Sequence, residues 1–479
     1  MLILFVTLYL LASIAMGLWF ARRVHNSADY AVAGRALPLS IIFGTTFATW
    51  FGSETVIGIP ARFLESGLHE TAEDPWGASL CLILVGLFFS RRLYKLSLLT
   101  INDYYRERYG VAVELFCSAV SVVSYLGWVA AQISALGIVF SLLTEGAVSP
   151  IAGACIGSVV VLFYTIFGGM WSVAVTDFVQ MIVIVVCLTA IAWIAGNLAG
   201  GVSPVLEAAR GREMLHLLPP LEPRPLLFFL ASGITIMLGS IPQQDIFQRV
   251  MSAKNADVAV IGPILGGVAY LGFSFIPMFI VATGFLLMPD DMGAMIERDP
   301  QQVLPTLIMG HMPEVTKVLF FGALLSAIMS TASSTILAPS TVLVQNVLKH
   351  LRPQMSDHEE LALMRVTVFA FTLLVLGYSI AMQGTSVYEL VSNSYQVPLV
   401  GAFVPLVCGL YWKRASNGGA VTSILLGLGT WLLFMATSLG QAFPQQLAGL
   451  IMAGVGMWLG SIFFTTSGGA EPRPTAGGR

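Results

Sequence analysis

Three stretches of the chain place hydrogen-bonding residues where an apolar helix has no need of them. One is Thr45-Thr46-Phe47-Ala48-Thr49-Trp50-Phe51-Gly52-Ser53-Glu54, with Pro60 soon after. A second is Gly233-Ile234-Thr235-Ile236-Met237-Leu238-Gly239-Ser240-Ile241-Pro242-Gln243-Gln244-Asp245. Gly and Pro beside polar side chains mark helix breaks, and backbone groups freed inside an apolar span must line a cavity or be buried in protein. Packing kinks leave the same trace. The third stretch, Ser326-Ala327-Ile328-Met329-Ser330-Thr331-Ala332-Ser333-Ser334-Thr335, holds six hydroxyls in ten residues. Back-bonding to the helix accounts for one or two of them. Hydroxyls and free carbonyls, with no thiolate or imidazole, suit a hard monovalent cation. Ser330 and Thr331, set against carbonyls freed near Ala48 and Phe51, would form such a site. Glu54 is a carboxylate within an apolar stretch, where ionisable groups are expensive and usually functional. It could pair with an amine, accept sugar hydroxyls, take a proton, or pair internally with Arg62. Gln243, Asp245, Asn393 and Tyr395 are further polar candidates for the same cavity.

The elements that must position these residues are membrane spans. Of 479 residues 56% are hydrophobic and 10% charged, with a mean hydropathy of +0.83. A soluble chain carries about 25% charge, so these charges are too few to cover a water-exposed surface. Apolar runs of about 20 residues recur throughout, each able to cross a hydrocarbon core of about 30 Å. They number roughly 13, near 2–21, 37–62, 76–94, 112–143, 150–167, 173–199, 225–247, 257–287, 313–346, 363–383, 388–411, 417–438 and 445–464. Small residues such as Gly456-x-x-x-Gly460 fit helices that approach closely. Most of the 23 Lys and Arg residues fall on one side, including Arg22, Arg23, Arg91, Arg92, Lys95, Lys413 and Arg414. The opposite loops, Glu65–Asp74 and Asp290–Asp299, are acidic. The positive-inside bias therefore predicts an N-terminus outside and a C-terminus in the cytoplasm. No basic region precedes the first span, which argues for a retained helix rather than a cleaved signal. The expected location is a plasma membrane, such as a bacterial inner membrane.

Other classes find little support. Net charge is −3, which leaves no basic footprint for nucleic acid. The five cysteines all lie in apolar runs and read as small buried hydrophobes, and the six histidines are scattered. There is no Walker P-loop pattern and no clustered catalytic constellation facing one leaflet, so an enzyme is not expected. The segment 467–479, rich in Gly and Pro, is expected to be disordered.

With the first span set aside, the two broken spans are the first and sixth of a ten-helix core. Corresponding breaks in two halves point to an inverted-repeat carrier with its site near the midplane. The expected division is an extra helix and inner loop at 1–36, five-helix repeats at 37–200 and 201–412, and two C-terminal helices at 413–466. No internal sequence repeat is visible, so the repeat rests on span spacing.

Three further motifs carry a family likeness. They are Gly168-Gly169-Met170-Trp171-Ser172-Val173-Ala174-Val175-Thr176-Asp177-Phe178-Val179-Gln180, then Phe247-Gln248-Arg249 followed by Ser252-Ala253-Lys254, and Ala327–Thr331. In order and placement they resemble the sodium:solute symporter family, whose members have a LeuT-type 5+5 inverted-repeat core plus an N-terminal helix. The resemblance runs from Leu2 to about Phe464. It implies an all-α membrane fold and a sodium site made of the carbonyls of Ala48, Phe51 and Ala327 with the hydroxyls of Ser330 and Thr331. It also implies that Asp177 lies on the ion exit route; a carboxylate interacting with a helix dipole is the plainer account. Trp50-Phe51-Gly52, Gly86–Phe89, Ala131–Gly137 and Ile241-Pro242 look nearest the choline-type branch. There Trp50 and Trp128 correspond to aromatic walls for a quaternary ammonium, held through the ring quadrupole. Gln243 stands where that branch has another tryptophan. Glu54 instead resembles a sugar-contacting glutamate of the family's bacterial sugar symporters. The resemblance implies sodium-coupled import of a small organic solute. A proton-coupled carrier of the same fold, with Glu54 or Asp177 as relay, and a non-transporting solute sensor remain open at this point.

Overall fold

The computed structural model describes residues 2–464; the expected disordered segment 467–479 lies outside the described residues. Among them the chain is helical, with a single isolated bridge between Leu37 and Ala253. Ten helices are long and apolar enough to cross a membrane, or 11 when a pair bent by 46° counts as one span. In chain order the elements are α1 (Leu2–Ala21), α2 (Leu39–Trp50), α3 (Ile59–Ser66), α4 (Leu68–Tyr94), the short α5 (Ile101–Tyr109), α6 (Val111–Leu143) and α7 (Pro150–Leu198). Then follow α8 (Pro223–Gly239), α9 (Gln244–Ser252), α10 (Ala256–Leu287), α11 (Glu314–Leu351), α12 (Asp357–Ala381), α13 (Val387–Tyr411), α14 (Asn417–Ala436) and α15 (Gln445–Phe463). Large apolar side chains such as Leu4, Trp19, Val186, Trp193, Leu374 and Trp458 are exposed. In water so much exposed apolar surface would be a liability; in lipid it is the matching solvent.

An estimate of about 13 spans is compatible with this architecture. The helices α2 and α3 divide one expected span between them. Conversely, α7 has 49 residues, about 70 Å of helix, enough for two crossings. It is interrupted at Gly169, whose backbone (φ 48°, ψ −144°) is not helical. A Cβ there would meet the Tyr30 carbonyl oxygen at 2.5 Å and its ring at 2.6 Å. Only glycine combines that dihedral with that approach. Tyr30 donates its hydroxyl to the carbonyls of Thr165 and Ile166, both at 3.3 Å, satisfying groups the interruption loosens. The Gly168-Gly169 pair thus marks where one expected span ends and the next begins.

The two expected breaks also appear. Between α2 and α3 the chain leaves the helix at Phe51 (φ −89°, ψ 68°). Between α8 and α9 it runs through Ser240–Gln243, with Gln243 extended (φ −83°, ψ 143°). The core is organised around α7, which packs on α1, α2, α6 and α11. The stretch of α11 from Phe320 to Val342 is buried throughout, which explains why its hydroxyls must all find partners. At the periphery α14 lies along α15. Gly456 and Gly460 let the backbones touch there, since a Cβ on Gly456 would meet the Thr422 carbonyl at 2.6 Å.

Candidate functional site

The break after α2 is held open by side chains. The helical ladder ends at the bond from the Phe51 amide to the Phe47 carbonyl (3.0 Å). The Ser53 amide turns away to Gln132 Oε1 on α6 (3.0 Å). This takes the carbonyls of Ala48 and Phe51 out of regular pairing. Opposite them, on α11, Thr331 donates to the Thr49 carbonyl (2.8 Å) and Ser330 donates to Asp177 Oδ1 (2.6 Å). A hydroxyl that donates its proton keeps its lone pairs for a cation. Gly52 is required where it stands, because a Cβ would meet Thr331 Oγ1 at 2.7 Å and the Glu54 carboxylate at 2.5 and 2.9 Å. All five residues expected to hold sodium (Ala48, Phe51, Ala327, Ser330 and Thr331) are buried and lie where α2 meets α11.

Asp177 forms the other half of this locus. Besides Ser330 it accepts from Thr45 Oγ1 (2.5 Å) and Thr49 Oγ1 (3.2 Å). It faces the guanidinium of Arg249 at 3.5 Å, and both side chains are buried. Arg249 also donates to the Asp245 carbonyl (2.7 Å), the Thr45 carbonyl (3.2 Å), Ser334 Oγ (2.6 Å) and Thr49 Oγ1. One arginine of α9 therefore joins α2, α7 and α11. Its sequence signal was present, since an Arg following an intramembrane break is costly unless paired.

The expected solute-lining residues occupy two places. Trp50, Trp128 and Tyr395 touch one another, with ring centroids 5.4–6.1 Å apart, and Tyr125 stacks on Trp128 at 6.1 Å. Glu54 belongs to this cluster: Trp128 Nε1 donates to its Oε1 (3.1 Å) and Gln132 Nε2 to its Oε2 (2.7 Å). The internal pairing of Glu54 with Arg62 is not observed; Arg62 is held by Glu70 (2.6 Å) and Glu65 (3.6 Å). Asp245 reaches the cluster through Tyr125, whose hydroxyl donates to Oδ1 at 2.6 Å. Gln243 precedes α9 and is 1% exposed. Asn393 lies apart, in a vestibule of about 1040 Å³ that also reaches Gly58, Arg62, Glu73, Tyr388 and Gln396. Gln132 and Tyr125 escaped the sequence reading as site residues, although each is a polar group in an apolar helix.

At the opposite end of the bundle a set of hydrogen bonds ties neighbouring segments together. The Leu37 amide donates to the Ser252 carbonyl (3.0 Å) and the Lys254 amide to the Leu37 carbonyl (2.9 Å). Tyr94 donates to the Ala253 carbonyl (2.8 Å), and Gln244 accepts from the Ile101 amide (2.8 Å). Tyr270 on α10 bonds Asp74 Oδ1 (2.6 Å) on α4 and Thr55 Oγ1 (2.8 Å) in the break.

Residues 30–427 match the model of the sodium:solute symporter family. The chain is 29% identical over 448 residues to the human high affinity choline transporter 1, covering 89% of this chain and 75% of that protein. It is 26% identical over 500 residues to the rat sodium/glucose cotransporter 2, covering 89% and 70%. Among solved structures it resembles a Na+-coupled sialic acid symporter in a substrate-bound outward-open state, with a TM-score of 0.83, 19% identity and 98% of each chain covered. That likeness establishes the fold.

Proposed function

The chain belongs to the sodium:solute symporter family, and from that premise we propose that it moves a small organic solute and sodium together across a plasma membrane by alternating access. Membership makes it a carrier rather than an enzyme. The observation that supports sodium as its coupling ion is the set of hydroxyls on α11 facing carbonyls freed at the break after α2. The ion would be held by the carbonyls of Ala48, Phe51 and Ala327 with Ser330 and Thr331. Each of these atoms is an oxygen ligand suited to a hard cation. With the N-terminus outside, the vestibule opens to the exterior and the hydrogen-bonded end faces the cytoplasm, an arrangement ready to load.

Sodium between α2 and α11 would join the moving helices (α2/α3, α4, α8/α9 and α10) to the scaffold containing α6, α7 and α11. Stabilising that arrangement preforms the cluster of Trp50, Trp128 and Tyr395 for the solute, and each ligand then favours the other equally. Asp177 would receive the ion as it leaves, with Arg249 taking over the carboxylate when the ion has gone. Trp50, Glu54, Trp128, Gln243, Asp245 and Tyr395 would contact the solute, and Asn393 would line its approach. The test is solute uptake into proteoliposomes with sodium replaced by potassium at fixed pH. Sodium-stimulated uptake is expected; uptake that persists unchanged without sodium, and follows a proton gradient instead, would replace this reading with a proton-coupled carrier.

A further inference from the structure

In and beside the deep aromatic cluster are hydrogen-bonding groups that nothing among the described residues satisfies. Gln243 is 1% exposed, yet neither its Oε1 nor its Nε2 has a partner, and it caps nothing although it stands at the N-cap of α9. Asp245 is fully buried; Tyr125 occupies Oδ1, and Oδ2 is unpartnered. Trp50 Nε1 and Ser53 Oγ are likewise buried without partners. Buried polar groups are nearly always paired; unpartnered ones also occur elsewhere, as at Asn102 and Gln180, but these four belong to Trp50 of the ring cluster, to Ser53 beside Glu54, and to the Gln243–Asp245 segment that Tyr125 joins to Trp128, a placement that suits a ligand's own polar atoms. None of these atoms is needed to hold the break itself, which Gln132 secures.

Charge sharpens the ligand's identity. Glu54 is bonded to the Trp128 indole, and Asp245 is reached from Trp128 through the stacked Tyr125. Among the described residues neither carboxylate forms a salt bridge; the guanidinium of Arg249 is directed to Asp177 and to the Asp245 main chain. The charge of Arg249 also acts on Asp245, whereas Glu54 is held only by neutral donors, Trp128 and Gln132; an intramembrane carboxylate held that way is a candidate contact for a cationic ligand. The vestibule agrees in sign: its lining includes five carboxylates, among them Glu65, Glu73 and Glu389, against the guanidiniums of Arg62 and Arg298. The excess of carboxylates over guanidiniums favours cationic ligands.

A quaternary ammonium meets the charge and the rings but not the orphans. It has no N–H with which to pair Asp245 Oδ2 and Gln243 Oε1, which are left without partners. Resting on the reading of the protein as a sodium-coupled carrier, we infer that its solute is a small protonated amine bearing N–H bonds. The ammonium sits against Trp50, Trp128 and Tyr395, donates to Asp245 and Gln243, and balances Glu54. The Gln243 amide N–H and Trp50 Nε1 are left to donate to an oxygen elsewhere on the solute.

The experiment is a thermal-shift titration of the purified full-length protein with ethanolamine, N-methylethanolamine, N,N-dimethylethanolamine and choline, plus glucose, each in NaCl and in KCl. The series removes one N–H at a time while keeping charge and hydroxyl. In NaCl the first three are expected to bind, and choline at least tenfold more weakly than dimethylethanolamine. Gln243→Trp should reverse that last preference by replacing the amide with an aromatic ring, and Asp245→Asn should flatten it. If choline binds as well as the N–H amines, or glucose alone binds, the inference falls while a sodium-dependent shift leaves the symport reading intact. A shift by none of the four amines also overturns it. Amine shifts of equal size in KCl would instead remove the sodium coupling and spare the assignment of the solute.

Discussion

On the sodium reading, single side chains set how firmly the ion is held at the centre of this protein. A hydrogen bond or ligand interaction with a charged partner contributes about 1.5–3 kcal/mol. Ser330→Ala or Thr331→Ala should therefore raise the sodium concentration for half-maximal uptake about tenfold or more, measured by sodium titration of transport at fixed solute. Asp177 and Arg249 are both buried, and removing one partner of a buried ion pair costs about 3–5 kcal/mol. Asp177→Asn and Arg249→Gln should each lower thermal stability strongly, and the double variant should lose less than the sum, as a double-mutant cycle would read. Ser330, Thr331 and Glu54 stood out in the sequence as polar groups in apolar runs, and Asp177 through the motif that carries the family likeness. Arg249 was visible as part of a motif but not as a partner of Asp177, since a contact across 72 positions of chain leaves no periodic trace. The orphaned state of Gln243 was not legible at all, because a missing partner is a property of the packed fold.

At the scale of helices, the breaks were readable and their supports were not. Gly and Pro with polar neighbours located both interruptions correctly, near Phe51 and near Ser240–Gln243. Gln132, which clamps the first from α6, could be assigned only once α6 was seen to pass beside it. The interruption of α7 illustrates the same limit: Gly168-Gly169 was read as part of a motif, while its physical cause is the approach of Tyr30. Gly169→Ala would force a side chain into the Tyr30 carbonyl at an unfavourable dihedral, a strain of about 2 kcal/mol or more. A clearly lowered melting temperature is expected. Gly454→Ala is the control, since a Cβ at that position meets nothing within 4 Å; it should leave stability unchanged or slightly raised, as Ala is the better helix former.

For the molecule as a whole, composition alone indicated a membrane protein, and the spacing of breaks indicated a two-part carrier. Span counting was less secure, because a helix can outrun the bilayer and a broken span can fall short of it. Energetically, one sodium falling through about −100 mV and a tenfold gradient yields about 3.7 kcal/mol, enough to accumulate a neutral solute a few hundredfold. A monovalent cationic solute adds its own descent through the potential, about another fiftyfold. Proteoliposomes with a potassium diffusion potential should thus show accumulation that rises with inside-negative voltage and collapses when a sodium ionophore dissipates the gradient. A voltage-insensitive accumulation would contradict sodium-driven electrogenic transport.

The link between Leu37 and the segment Ser252–Lys254 consists of main-chain atoms: two amides and two carbonyls. A link of that kind is blind to ordinary mutation, since every residue except proline supplies the same donor and acceptor. Leu37→Pro deletes one of its donors, while most other exchanges at 37, 252 and 254 leave both bonds in place. Descendants of this sequence can therefore drift in the residues around the rings while the two main-chain bonds that tie the start of α2 to the end of α9 stay intact.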